Sequence, residues 1–140
     1  MAASHREEVL SMMQVFYASP AVATNGSEEI FRADIDACVN DNPYLEGYVF
    51  SEGHTLIGYA MVAKSFSTEY GCPCCWIEDI YLKPPYRGKG YAGQFFAFLE
   101  EKYPNVLFRL EAEADNHSAL RAYCKNGFDT MSYIELKKGR

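Results

Sequence analysis

What most constrains the fold of this chain is a change of hydrophobic period near residue 83. Before it, short apolar runs alternate with glycine turns: a strand near Gly47–Ser51, a Glu52-Gly53-His54 turn, a long strand through Ile57–Phe66, a turn at Gly71–Cys74 and a strand over Cys75–Leu82. Glycine in a short connection is a hairpin signal, so this half predicts an antiparallel meander. After it, Ala92, Phe95, Phe96 and Leu99 recur at helical spacing over about 90–102, and Pro104 ends the helix. Val106–Glu113 then reads as a strand. A strand, a helix and a strand in that order predict a parallel pair with a right-handed crossover. One sheet must therefore hold both kinds of pairing.

The flanks supply helices. Val9, Met12, Met13, Phe16 and Tyr17 form one face of a helix over residues 6–19. Ser27 can cap a second helix carrying Ile30, Phe31, Ile35, Cys38 and Val39, with Glu28 and Glu29 in its first turn and Asp41-Asn-Pro43 as its stop. Asn116 can cap a last helix holding Ala119, Leu120, Ala122 and Tyr123, with Gly127 as the residue just past its end. Phe128–Leu136 then reads as a closing strand. The expected fold is α/β (α+β): a single domain over residues 1–140, with a mixed, mostly antiparallel sheet and helices on both faces.

Between strand and helix lies Lys83-Pro84-Pro85-Tyr86-Arg87-Gly88-Lys89-Gly90-Tyr91-Ala92-Gly93. A glycine loop opening a helix is an anion site, because first-turn N–H groups lack intrahelical partners. Gly88-x-Gly90-x-x-Gly93 also matches a dinucleotide fingerprint, with Glu111 near the place of a ribose-binding acid. Against an NAD-type reading, only 47 residues follow Gly93, and an antiparallel meander precedes the unit. No Gly-Lys-Ser/Thr occurs, so a P-loop is excluded.

The same stretch, from the acidic strand Trp76-Ile77-Glu78-Asp79 through Arg87-Gly-Lys-Gly-Tyr-Ala92, resembles the GNAT superfamily of acyl-CoA-dependent N-acetyltransferases. Asp115-Asn116-x-x-Ala119-x-x-x-Tyr123-x-Lys125-x-Gly127-Phe128 is similar to that family's second signature, and the matching segments span roughly residues 55–130. Ile77-Glu78-Asp79 is closest to the small-amine, diamine-type members. The resemblance implies acetyl-CoA as acyl donor, no metal, and a primary amine as acceptor. It places the coenzyme's pyrophosphate on the amides of Arg87, Gly88, Lys89, Gly90, Tyr91, Ala92 and Gly93. The pantetheine arm would lie along Ile80, Tyr81 and Leu82, with Asn116 also close to the coenzyme. That requires the strands at 75–82 and 106–113 to splay. It implies Glu78 as general base and Tyr123 as the acid that protonates the leaving thiolate. A non-catalytic acyl-CoA-binding module with the same fold stays open.

A primary amine is about one part in 10³ neutral at pH 7, which is why a base near the thioester is useful. Neighbours on a regular strand face opposite ways, so one of Glu78 and Asp79 is expected to line the cleft. Glu111, Glu113, Phe16 and Tyr17 can help receive a cation. The acceptor is a small-molecule amine or a protein amine, and a homodimer is left open.

Net charge −6 and the lack of a Lys/Arg run argue against nucleic acid. No apolar run is long enough for a membrane span, and Met1-Ala-Ala-Ser-His-Arg lacks a leader's apolar core, so cytoplasmic residence is expected. Five cysteines argue against a disulfide framework, and Cys72-Pro-Cys74-Cys75 lacks the ligands that complete a zinc site. His5, His54 and His117 read as scattered surface residues. The family usually begins with a strand before its first helix; here that strand is short or missing.

Overall fold

Thr55–Ser67 holds the longest apolar run, and Ile57, Tyr59, Ala60, Met61 and Val62 are all buried in it. A strand buried on both faces must be central, because each such side chain gains about 1.5–3 kcal/mol only by leaving water. In this computed structural model, which describes residues 1–24 and 26–140, that run is β2 of a four-stranded sheet. The strands are β1 (Leu45–Glu52), β2 (Thr55–Ser67), β3 (Cys72–Leu82) and β4 (Leu107–Leu110), in spatial order β1-β2-β3-β4. The β1–β2 and β2–β3 pairs are antiparallel and β3–β4 is parallel, as the change of period requires.

Helices α1 (Arg6–Tyr17) and α2 (Glu28–Val39) cover one face of the sheet. Val9, Met13, Phe31 and Ile35 pack there against Tyr59, Met61 and Tyr81. Helix α3 (Tyr91–Lys102) covers the other face, where Phe95, Phe96 and Leu99 meet Ala60, Val62, Cys75 and Ile77. The last helix, α4 (His117–Lys125), adds Tyr123 to that second core, in edge contact with Phe96. The capping residues act as their chemistry dictates. Ser27 Oγ accepts from Ile30 N at 3.3 Å, and Asn116 Oδ1 accepts from Ala119 N at 3.3 Å. Gly127, at φ +90°, follows the end of α4, where it and Phe128 donate back to Cys124 O and Tyr123 O.

Three elements differ from the sequence reading. β3 begins at Cys72 rather than Cys75, so Cys72, Pro73 and Cys74 are strand residues rather than part of a turn, with Cys74 buried. Pro73 is tolerated there because β4 pairing starts only at Cys74, and the missing N–H removes no bond on that side. β4 covers Leu107–Leu110 instead of 106–113. The segment 128–136 forms no strand: it runs extended without a ladder, with Ile134 and Leu136 86% and 89% exposed. It pairs with no strand of the sheet, in which β4 has β3 as its one partner, and a strand exists only as part of a pair. Among the described residues no strand precedes α1; the chain enters it through a 3₁₀ turn at Ala3–His5, and the Met1 amino group donates to Gly47 O at 2.8 Å.

Candidate active site

The β3–β4 ladder pairs Cys74–Ile77 with Leu107–Leu110 and stops. Beyond it β3 runs on to Leu82 with β2 as its one partner, while the chain after Leu110 leaves the sheet. The two strands therefore diverge, and the backbone of 78–82 keeps an unpaired edge. Such an edge is a row of free donors and acceptors that an extended ligand can join. Ile80, Tyr81 and Leu82 lie along it. The Tyr81 ring is buried in the core against Phe16 and Tyr59, so it is the backbone at this position that faces outward.

A bulge shapes the next feature. Met61 of β2 opposes Asp79 and Val62 opposes Ile77, leaving Glu78 without a partner. The extra residue resets the alternation. Ile77 and Ile80 both belong to the α3-side core, while Asp79 points to the α1 side, where Tyr17 and Tyr59 bond it. Glu78 and Asp79 consequently line one and the same cavity, where regular alternation predicts only one of them.

That cavity measures about 870 Å³. One wall is Phe16, Tyr17 and residues 21–24; another is Leu120, Tyr123 and Cys124 of α4; Trp76 and Arg109 form the floor. Glu111, Glu113, Tyr133 and Glu135 complete the rim. Arg109 is the one basic residue among the lining groups. Its guanidinium stacks 5.3 Å from the Trp76 ring and lies 3.9 Å from Glu69. The electrostatics are thus strongly acidic. Burial, with the charges of Asp79, Glu135 and Asp34, pushes the Glu78 carboxyl up from its ordinary value. Burial also raises the Asp79 carboxyl, against the opposing hydroxyls of Tyr59 and Tyr17. Glu111 is pushed up to about 7 by burial and by Glu135 beside it. Burial raises the Tyr123 hydroxyl, which keeps it a proton donor at neutral pH.

The glycine loop closes the other end of the cleft. Pro84–Tyr86 form a 3₁₀ turn, Gly88 and Gly90 take φ +72° and +84°, and a Cβ at either would meet nothing within 4 Å. Left-handed residues at a helix N-terminus turn successive N–H groups to one side, and open space above them leaves room for an anion. Gly90 is the N-cap of α3, and Tyr91 and Ala92 begin its first turn. The Arg87 Nε donates to Leu82 O at 2.7 Å while its guanidinium stands 5.4 Å from the Tyr81 ring, which ties the loop to the free edge of β3. Lys89 sits over the Tyr86 ring at 5.6 Å. Gly93 has a further reason to be glycine: a Cβ there would lie 2.7 Å from Asn126 Oδ1. Asn116 stands at the head of α4, spent on its cap.

Trp76, Arg109 and Glu135 escaped the sequence reading. Glu135 was hidden because 128–136 looked like a strand, and Trp76 and Arg109 because only β3–β4 register sets them side by side. The cysteines at 72, 74 and 75 stay thiols, and among the described residues no cluster of metal-ligating side chains occurs. His54 and His117 are exposed and His5 half-buried, none of them at the cavity.

Comparison with known proteins agrees with this geometry. The sequence matches the acetyltransferase (GNAT) family over residues 10–128. It matches none of the curated proteins. Among solved structures, the aminoglycoside N-acetyltransferase AAC(6')-Iy in complex with a bisubstrate analogue, CoA-S-monomethyl-acetylneamine, superposes with TM-score 0.79 at 17% identity, over 100% of this chain and 95% of that one. The aminoglycoside 6'-N-acetyltransferase AAC(6')-IG of Acinetobacter haemolyticus gives 0.78 at 16% identity, over 100% and 95%. An acetyltransferase-like protein of Clostridium difficile 630 gives 0.80 at 16% identity, over 98% and 92%. At these identities the likeness is one of fold.

Proposed function

The chain belongs to the acetyltransferase (GNAT) family, and from that premise we propose that it moves an acetyl group from acetyl-CoA to the primary amine of a small cationic acceptor, by direct attack in a ternary complex. The observation that carries this reading is the divergence of β3 and β4 after Ile77 and Leu110, which opens a free backbone edge directly onto an acidic cavity.

The residues fit the donor. The amides from Arg87 to Gly93, with Gly88 and Gly90 left-handed and unobstructed, suit a pyrophosphate, and Arg87 and Lys89 add charge beside it. The unpaired edge of 78–82 suits the amide-bearing pantetheine arm, as an added strand. A backbone N–H of the same edge is available to the thioester carbonyl oxygen, where negative charge grows during attack.

The acceptor arrives as an ammonium, drawn by the carboxylates and aromatic walls of the cavity. Glu78, unpaired at the bulge, takes the proton as the nitrogen lone pair turns to the carbonyl carbon. A raised carboxyl is a better proton acceptor at neutral pH than an ordinary glutamate, which suits the role. Tyr123, across the same cavity, gives its proton to the departing sulfur. The sheet carries a single parallel pair, where a doubly wound dinucleotide domain needs several, so the NAD reading of the glycine loop has little support.

The test combines thiol release from acetyl-CoA, with primary amines as acceptors, and thermal unfolding with acetyl-CoA or NAD. Saturation at 100 times Kd adds about 2.7 kcal/mol. Stabilisation by acetyl-CoA alone, with amine-dependent thiol release, is the expected result. Stabilisation without release would reassign the protein as a non-catalytic acyl-CoA module, and stabilisation by NAD alone would overturn the reading.

A further inference from the structure

Asp79 is 4% exposed yet reaches the cavity, and each of its oxygens accepts from a tyrosine. Tyr17 donates to Oδ1 at 2.8 Å and Tyr59 to Oδ2 at 2.8 Å. Both tyrosines serve the carboxylate equally, but their surroundings differ. Tyr59 is 0% exposed within the core, whereas Tyr17, the last residue of α1, lines the cavity. The Tyr17 ring is fixed by edge contact with Phe16 at 5.5 Å and tilted contact with Phe31 at 4.8 Å. No cation faces Asp79 among the described residues, so two neutral donors hold a buried carboxylate. Such an arrangement costs stability unless a positive group arrives to share the field.

A phenol whose proton is committed to a carboxylate can only accept from its remaining side. We infer that Tyr17 is a specificity-determining residue of the acceptor site: with its hydroxyl proton held by the buried Asp79, its oxygen faces the cavity as an acceptor for the N–H of a protonated primary amine. Asp79 is its positioning residue, fixing the direction of the hydroxyl and lending negative charge through it. Tyr59 holds Asp79 and does not meet the ligand. The inference rests on the proposed amine acceptor and assigns which groups recognise it.

The hydroxyl pair supplies its own control, since Tyr17→Phe and Tyr59→Phe each remove one donor from the same carboxylate and keep the ring. The probes are 1,4-diaminobutane, spermidine and neamine, measured by acetyl transfer and by calorimetric binding in the presence of coenzyme A. Tyr17→Phe should weaken amine binding and raise the amine KM by about tenfold, as loss of a hydrogen bond to a charged group does. The KM for acetyl-CoA and kcat should stay within about twofold, because uniform binding is what has been removed. Tyr59→Phe should lower Tm and change amine affinity clearly less than Tyr17→Phe does. Equal effects of the two variants on the amine, or none from Tyr17→Phe, would overturn the inference, as would a wild-type protein that binds none of the probes. If Tyr59→Phe does not fold, calorimetry on Tyr17→Phe against wild type decides alone. Tyr17-dependent amine binding without acetyl transfer supports the inference while refuting the enzymatic reading; transfer with a Tyr17-independent KM does the reverse.

Discussion

Replacing Glu46 by Gln is the substitution whose energetic effect the structure defines best. Glu46 stands on β1, on the α3 side of the sheet, and gathers four donors. Oε1 accepts from Lys64 Nζ at 2.9 Å and Tyr103 Oη at 2.5 Å. Oε2 accepts from Lys102 Nζ at 3.1 Å and from the Tyr48 hydroxyl. The cluster clamps the outer strand to the C-terminal end of α3. Burial works against its charge, but the hydrogen bonds of Tyr103, Tyr48, Lys64 and Lys102 prevail and draw the carboxyl from 4.5 down to about 2. At about 1.36 kcal/mol for each pKa step of one, that drop corresponds to at most ~3.4 kcal/mol. The side chain is 23% exposed, and solvent screening reduces the figure to about 1–2 kcal/mol. A folded-state carboxyl below its unfolded value stabilises fully above pH 4.5 and ceases to do so as pH falls through about 2. Glu46→Gln keeps one acceptor oxygen and loses the charge. Urea unfolding followed by the fluorescence of Trp76, the single tryptophan, should show a deficit of about 1–2 kcal/mol at pH 7, or roughly 3–8 °C in Tm. The gap should hold from pH 7 to 5 and close below pH 4.5. A gap that persists unchanged to pH 3 would refute the charge argument, and no gap at pH 7 would mean that water serves the carboxylate as well as the cluster does.

Tyr123→Phe should slow acetyl transfer by about 10²-fold or more with coenzyme affinity unchanged, since only the proton donor is removed; undiminished turnover would exclude Tyr123 as the acid. Gly58→Ala places a Cβ 2.2 Å from the Tyr81 carbonyl oxygen, and because that atom is backbone paired between β2 and β3, a loss of about 3 kcal/mol or more is expected in denaturant unfolding. Glu111, pushed up to about 7 by burial and by Glu135, favours the folded state when protonated and disfavours it as pH rises through that value. Glu135→Gln should therefore raise Tm at pH 8 and leave it unchanged at pH 4; equal shifts at both would mean that burial alone governs Glu111.

The local elements were legible in the residues because their determinants are local. Ser27, Asn116 and Gly127 mark helix ends through hydrogen bonds that span three or four positions. The change of period before Pro84 separates antiparallel hairpins from the one parallel unit, and the strand–loop–helix grammar of Glu78 to Gly93 together with Asp115 to Phe128 carries the family likeness. The failures share one cause. A bulge is a property of two strands in register, so no feature of Glu78 alone announces that it and Asp79 open on one cavity. The apolar and aromatic residues of 128–136 favour a strand, but a strand is a property of a pair, and this segment joins no ladder.

By itself the sequence determined the order of the elements as far as the last helix, the mixed sheet and the chemical kinds at its cleft, because these follow from period, capping and residue type. Only the tertiary structure decided that β3 and β4 part after four paired positions, that Tyr17 from the first helix meets Asp79 across 62 residues, and that Glu46 gathers Lys64, Lys102 and Tyr103 from two distant segments beside Tyr48 of its own strand. Those facts depend on which surfaces the folded chain brings within hydrogen-bonding distance, and a linear pattern holds no record of distance.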